Sequence, residues 1–295
     1  MFAIGNKRVV ACFKGAKQKL LIALSCLVLS GCSISFIYNN LDWWVGWYLD
    51  DYVDLTKEQE KAFDESFELL HLWHRKTQLT LYAEQLSELK QSVVAQTLTE
   101  ADIEQHFTRV RSHWLTTATK VEPELARLTN MLDQEQRSEM VELIEEENQE
   151  LRDDRKQLTL DERNKERAKD QSKQFKKWFG RLNKQQKQLI AERVTEFKSS
   201  YDDWLAYRDL WLVEFKQVLG PDILVDEYRR QFKALILDND KLRSSEHIAK
   251  LDHNQGVFNK LFFDFTQTLT EKQKKTFNRK LDNLIEDLNE LAQKD

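Results

Sequence analysis

The chain has 295 residues, 32% of them charged and 41% apolar, with only seven glycines and two prolines. So few breakers leave little room for turns and point to an all-α protein of long helices. The formal net charge of −5 argues against nucleic acid as a partner.

Taken in chain order, Lys7, Arg8, Lys14, Lys17 and Lys19 precede an apolar run, "LLIALSCLVLS" (Leu20 to Ser30), with no acid before Asp42. A basic region followed by a short apolar one has the form of a secretory signal, and the run is too short to span a bilayer. It ends Leu29-Ser30-Gly31-Cys32, which resembles the lipobox of bacterial lipoproteins. That resemblance implies cleavage between Gly31 and Cys32, diacylglycerol on the Cys32 sulfur and an acyl chain such as palmitate on the new amino terminus. Ser33, in place of an aspartate, implies the outer membrane of a Gram-negative cell, with the body facing the periplasm. Several acyl chains anchor stably, since each buried methylene contributes about 0.8 kcal/mol.

Cys12 and Cys26 would leave with the signal, so the processed chain keeps Cys32 alone and can form neither a disulfide nor a cysteine-based metal site. Processing also raises the imbalance to 40 basic against 50 acidic residues, a net −10. Attraction to anionic lipid is therefore weak, and the expected membrane link is the lipid itself.

The stretch 32–54 reads as a lipidated tether and a short aromatic helix holding Trp43, Trp44 and Trp47, then Asp50, Asp51 and Asp54. The tryptophans suit a headgroup layer, but the neighbouring acids favour packing of this helix into the body as a hydrophobic plug. The three aspartates do not have EF-hand spacing, and no metal site is expected. A helix is expected over 57–94, carrying "WHR" (Trp73, His74, Arg75). There Trp73 packs while Arg75 reaches one of the aspartates. Glu68 and His71 make a single Glu-x-x-His step, without the second copy that a di-iron bundle needs. Asp50, Asp51, Arg75, His71 and His74 are the one neighbourhood that a hydrolase or metal enzyme could use. With no phosphate loop and no nucleophile elbow, no catalytic residue and no cofactor is assigned.

Further along, a helix over 100–131 is expected to bend near Pro123. In 145–177, twenty of 33 residues are charged, so this stretch reads as a protruding, solvated helical arm, hinged near Leu158 to Asp161. From Gln185 to Leu219 apolar residues recur every three or four, predicting one helix roughly 50 Å long. Gly220-Pro221 closes it, another helix runs from Asp222 to about Leu237, and a last helix carries Phe277, Leu281, Leu284, Leu288 and Leu291. The fold expected is an elongated bundle of long helices with a charged arm. It divides into 1–31 signal, 32–54 tether, 55–180 N-terminal helical region and 181–295 C-terminal helical region.

One phrase recurs: "LTKEQ" at Leu55, "LDQEQ" at Leu132, "LNKQQ" at Leu182 and "LTEKQ" at Leu269. In each, an N-cap residue (Thr56, Asp133, Asn183, Thr270) stands three before a glutamine (Gln59, Gln136, Gln186, Gln273). This is the capping box, in which side chain and backbone satisfy each other at a helix start for about 1 kcal/mol. The preceding leucine faces a charged staple position in every copy, so it must pack against another helix. A fifth match at Leu251 falls inside a helical pattern and reads as chance.

The lipobox, "YNNLDWWVGWYLDDYVDLTKEQ" (Tyr38 to Gln59) and "WHR" together resemble an uncharacterised, domain-of-unknown-function family of Gram-negative lipoproteins, over nearly the whole chain. Members of that family often carry Leu-Pro shortly after "WHR", where this chain has Leu79-Thr80, so a helix break there is an open point. The Leu-Thr-x-x-Gln phrases also look like the signature of small all-helical periplasmic stress chaperones, which cradle unfolded clients on a concave surface. Together these imply an outer-membrane lipoprotein with a binding or scaffold module for an envelope protein. Its oligomeric state is left open.

Overall fold

Gln59 and Gln136 are 77 residues apart in the sequence and in contact in the fold. The structure, a computed structural model, describes residues 32–153, 158–220 and 224–294. The signal segment 1–31, the Cys32 side chain, and Pro221 and Asp222 of the expected helix boundary lie outside the described residues. The elements are α1 (Cys32–Asn39), α2 (Leu41–Leu49), α3 (Lys57–Thr77), α4 (Leu79–Ala95), α5 (Glu100–Asn130), α6 (Gln134–Asp153), α7 (Leu160–Phe179), α8 (Lys184–Arg193), α9 (Tyr201–Val218), α10 (Val225–Leu237), α11 (Ser245–Gln267) and α12 (Glu271–Gln293). No strand occurs among the described residues, and the fold is an elongated all-α bundle.

All four repeated phrases are helix starts, and all four close the two capping bonds. Thr56 N–H donates to Gln59 Oε1 at 2.8 Å, and the equivalents at Asp133, Asn183 and Thr270 are 3.0, 3.1 and 3.0 Å. The glutamines then go further than a cap. Gln59 and Gln136 exchange amide hydrogen bonds, each 2.8 Å, and Gln186 and Gln273 exchange theirs at 3.0 and 2.9 Å. Every Nε2 also donates to a carbonyl five residues before its partner: Met131, Asp54, Thr268 and Arg181. Two clasps thus join α3 to α6 and α8 to α12 by one rule.

Two further starts follow the phrase with an acid in the last place. Thr99 caps with Asp102 and Thr159 with Glu162. A carboxylate accepts but cannot donate, and each acid stays at its own helix, Asp102 half-buried and Glu162 exposed. The leucines behave as tertiary anchors: Leu132, Leu182 and Leu269 are buried, and Leu55 is half-buried.

The main core gathers Val93, Leu98 and Ile103 with Phe175, Phe179, Ile190, Leu261, Phe265, Phe277 and Leu281. It therefore mixes residues from before and after position 180. A second core joins Ala126 of α5 to α9 and α10. A third seats Leu79 and Ala83 of α4 on Leu288 and Leu291 of α12.

Three expectations change. The helix expected over 57–94 breaks at Gln78, without a proline, so that Leu79 and Ala83 can turn onto α12. The single helix expected over 185–219 is two, α8 and α9, joined by a 3₁₀ turn and an extended Phe197. The backbone groups freed there are taken up by side chains: Asn254 bonds both Lys198 N–H and its carbonyl, His253 bonds Glu196 O, and Arg167 reaches Phe197 O. The described parts of the charged stretch 145–177 form the end of α6 and most of α7, and their inner faces are docked, while residues 154–157 of the expected arm lie outside the described residues. Glu145 pairs with Lys216, Glu147 with Arg208 and Arg152 with Asp209, while Asn148 and Phe175 are buried. Helix α5 runs through Pro123 without interruption.

Candidate functional site

Helix α5 carries Ile103, Phe107, Val110, Trp114 and Thr117 at steps of three and four, so they share one face. Ile103 is buried in the main core, but Trp114 is 71% exposed. Between them that face, together with Leu86 and Leu89 of α4 and Phe258 and Phe262 of α11, walls an open groove of about 610 Å³. Phe107 meets Phe258 edge-on at 5.7 Å, and Phe258 stacks on Phe262 at 6.2 Å. A groove lined by carbon with a few polar groups is the usual form of a binding site.

Those polar groups are bound to one another. Tyr38 Oη and His74 Nδ1 are 2.8 Å apart, His74 Nε2 and Tyr82 Oη 3.2 Å, and Tyr82 Oη and Thr117 Oγ1 3.5 Å. Gln85 donates to the His106 carbonyl at 2.8 Å and meets His113 Nε2 at 2.9 Å. Burial holds His71, His74, His106 and His113 below the ordinary imidazole pKa, with Arg75 adding repulsion at His71 and Arg109 at His106 and His113. Burial also pushes the Tyr38 phenol up to about 12. The groove wall is thus neutral near pH 7.

The expected cluster is divided between two surroundings. His71, His74 and Arg75 gather around Tyr38 of α1: Arg75 donates to Asn39 Oδ1 at 3.0 Å and lies 5.5 Å over the Tyr38 ring, which is 4.5 Å from His71. Trp73 faces α5 instead, with Lys120 5.9 Å above its ring. Asp50 and Asp51 stand exposed just after α2, their N–H groups donating to the Gly46 and Tyr48 carbonyls. Asp54 lends its carbonyl to Gln136. No group of three or more metal-ligating side chains occurs among the described residues. The plug expectation fails for α2, which buries no residue. Trp43 is 58% exposed, stacked with Trp47 and edge-on to Trp44. It is Tyr38 that enters the body, by way of the third core.

The groove itself is not legible in the sequence, although its α5 face shows a regular period. Such a face ordinarily signals core, and here only the spacing of α4, α5 and α11 leaves it open.

No helix among the described residues is long and apolar enough to cross a membrane. No curated protein and no solved structure matches the chain. A family model does match, over residues 51–248, which takes in the first clasp, the groove walls of α4 and α5 and the start of α11. The chain belongs to DUF6279, a family of unknown function.

Proposed function

We propose that this chain is a lipid-anchored binding module of the periplasmic face of the outer membrane, chaperone-like toward envelope proteins. Its groove receives an apolar segment of a partly unfolded polypeptide. The observation that supports this most is the groove of about 610 Å³ between α4, α5 and α11, with Trp114 71% exposed at its edge. The polar atoms of its wall are engaged with each other, so the surface offered is carbon, which selects by apolarity and not by sequence. The anchor rests on the Leu29-Ser30-Gly31-Cys32 sequence.

The test is suppression of aggregation of a model client at stoichiometric amounts by the chain from Ser33 onward. Trp114→Ser, at an exposed position, leaves folding intact and weakens client binding at least about fivefold. Absence of both suppression and client binding overturns the groove reading. Cys32→Ser tests the anchor separately. It releases the protein from the membrane fraction or leaves it unprocessed, and continued anchoring overturns that half alone.

A further inference from the structure

A second cleft, of about 460 Å³, lies between α2, α6 and α9, away from the groove. Its walls are aromatic: Tyr48 and Tyr52 on one side, Trp204, Tyr207 and Trp211 of α9 on the other. Its floor is polar. Arg208 donates from Nε to Asn148 Oδ1 at 2.6 Å and from Nη2 to Glu147 Oε2 at 2.9 Å. The Tyr52 hydroxyl reaches the same carboxylate oxygen at 3.4 Å and the Tyr48 hydroxyl at 3.0 Å.

Three features specify an occupant. First, Asn148 is 2% exposed, and its Nδ2 has no hydrogen-bond partner. A guanidinium only donates, so Arg208 fixes Oδ1 toward itself and turns the amide donor the other way. A buried donor left open costs stability, and a ligand acceptor would remove that cost once the Asn148 side chain shifts to bring Nδ2, now closed off, to the cleft surface. Second, the two charged residues that line the cleft, among the described residues, are paired with each other. Glu147 pairs with Arg208, Arg152 with Asp209 and Lys216 with Glu145. A charged ligand in the cleft would have to compete with the Glu147–Arg208 pair. Third, the walls combine flat ring faces with hydroxyl groups that both donate and accept.

A neutral ring with C–H faces and several hydroxyls meets all three requirements. We propose that this cleft is a binding site for a neutral carbohydrate, whose sugar face lies against Trp211 and Tyr48. One of its oxygens accepts from Asn148 Nδ2, and its hydroxyls engage Glu147 and the two tyrosines. The site stands independently of the groove.

The experiment uses the chain from Ser33 onward and three probes, cellotetraose, maltotetraose and chitotetraose, each up to about 10 mM. Saturation-transfer difference NMR and tryptophan fluorescence report binding. At least one probe binds. Tyr48→Ala, at a residue 59% exposed and so safe for folding, weakens it about tenfold, as does Asn148→Ser. Trp114→Ser in the groove leaves it unchanged. The proposal is overturned if none of the three probes binds, or if binding is unaltered in both Tyr48→Ala and Asn148→Ser. Tyr48-dependent binding of tetramethylammonium or inorganic phosphate in place of the sugars also overturns it, since the cleft would then be selecting charge.

Discussion

The two glutamine clasps share one hydrogen-bond geometry and differ in their surroundings. In the C-terminal clasp Gln186 is wholly buried and Gln273 is 5% exposed, and the flanking Leu182 and Leu269 belong to the main core. In the N-terminal clasp Gln59 and Gln136 are each 8% exposed, and Leu55 is only half-buried. The bonds themselves are no weaker there, at 2.8 Å against 3.0 and 2.9 Å. What differs is whether water can take over when a bond is lost. An amide pair away from water is held by the cost of leaving either member alone, more than by the net gain of the bond. The C-terminal clasp is therefore a locking point of the fold. The N-terminal clasp, beside the groove helices, is the softer of the two.

Truncation separates the clasps most strongly. Gln186→Ala removes the cap acceptor of α8 and leaves the Gln273 amide without its partner, at a cost of about 3 kcal/mol. Gln59→Ala removes the same bonds, but water reaches the gap, and the expected loss is about half of that. Urea denaturation of both variants checks this, and equal losses would contradict the distinction. Replacing both members, as in Gln186→Leu with Gln273→Leu, restores part of the stability lost in the single variant, because neither side-chain amide is then left without the other. The Asn183 and Thr270 N–H groups and the Thr268 and Arg181 carbonyls still lose their partners, which keeps the recovery partial.

How much of this could be read from the sequence follows from the range of each interaction. The capping boxes were legible because cap and glutamine are three residues apart, and the bonds are local. The clasps were not, because the partners are 77 and 87 residues apart. Yet their chemistry left a sign. The starts that end in glutamine pair, whereas those that end in Asp102 or Glu162 only cap, since an amide donates and accepts while a carboxylate accepts alone. The all-α class was legible from the scarcity of breakers. The break before Tyr201 was not, because it is sustained by Asn254 and His253 from another helix. Of the candidate site, His74 was legible in the sequence, within "WHR". Tyr82, Gln85, His106 and His113 were not, because only the packing of α4 beside α5 brings them together.

Acid acts on the softer region and sharpens the same comparison. His71, His74, His106 and His113 all titrate below the ordinary value of 6.5 because burial disfavours their charged form. In the unfolded chain they take up protons near 6.5, so stability is full above that pH. It is lost as pH falls through 6.5 toward the lower folded values. The glutamine clasps contain no titratable side chain in their amide pairs. Hydrogen–deuterium exchange at pH 5.5 against pH 7.5, corrected for intrinsic rates, should therefore speed up in α3, α4 and α5. It should stay unchanged at the starts of α8 and α12. His247, buried in α11 with its pKa also lowered, makes the start of that helix a second acid-sensitive point. Uniform acceleration across the chain would remove the distinction between the regions.

The smallest effect comes from exchanging amide and acid between the two kinds of helix start. At α7, Glu162 is fully exposed and accepts from the Thr159 N–H at 2.9 Å, and this bond holds its carboxyl below the ordinary range. Glu162→Gln keeps an oxygen in the accepting position and changes no buried contact, so the thermal midpoint shifts little. The reverse exchange, Gln186→Glu, also keeps the cap oxygen. It removes the only side-chain donor of residue 186 and sets a buried carboxylate against the Thr268 carbonyl and the Gln273 amide oxygen, where neither can donate to it. The Gln186→Glu shift should exceed the Glu162→Gln shift severalfold at pH 7 and shrink at lower pH. There the glutamic acid becomes neutral and regains an O–H donor. Comparable shifts in the two variants at pH 7 would mean that the glutamines serve as caps alone, and that the exchanged amide bonds contribute nothing of their own.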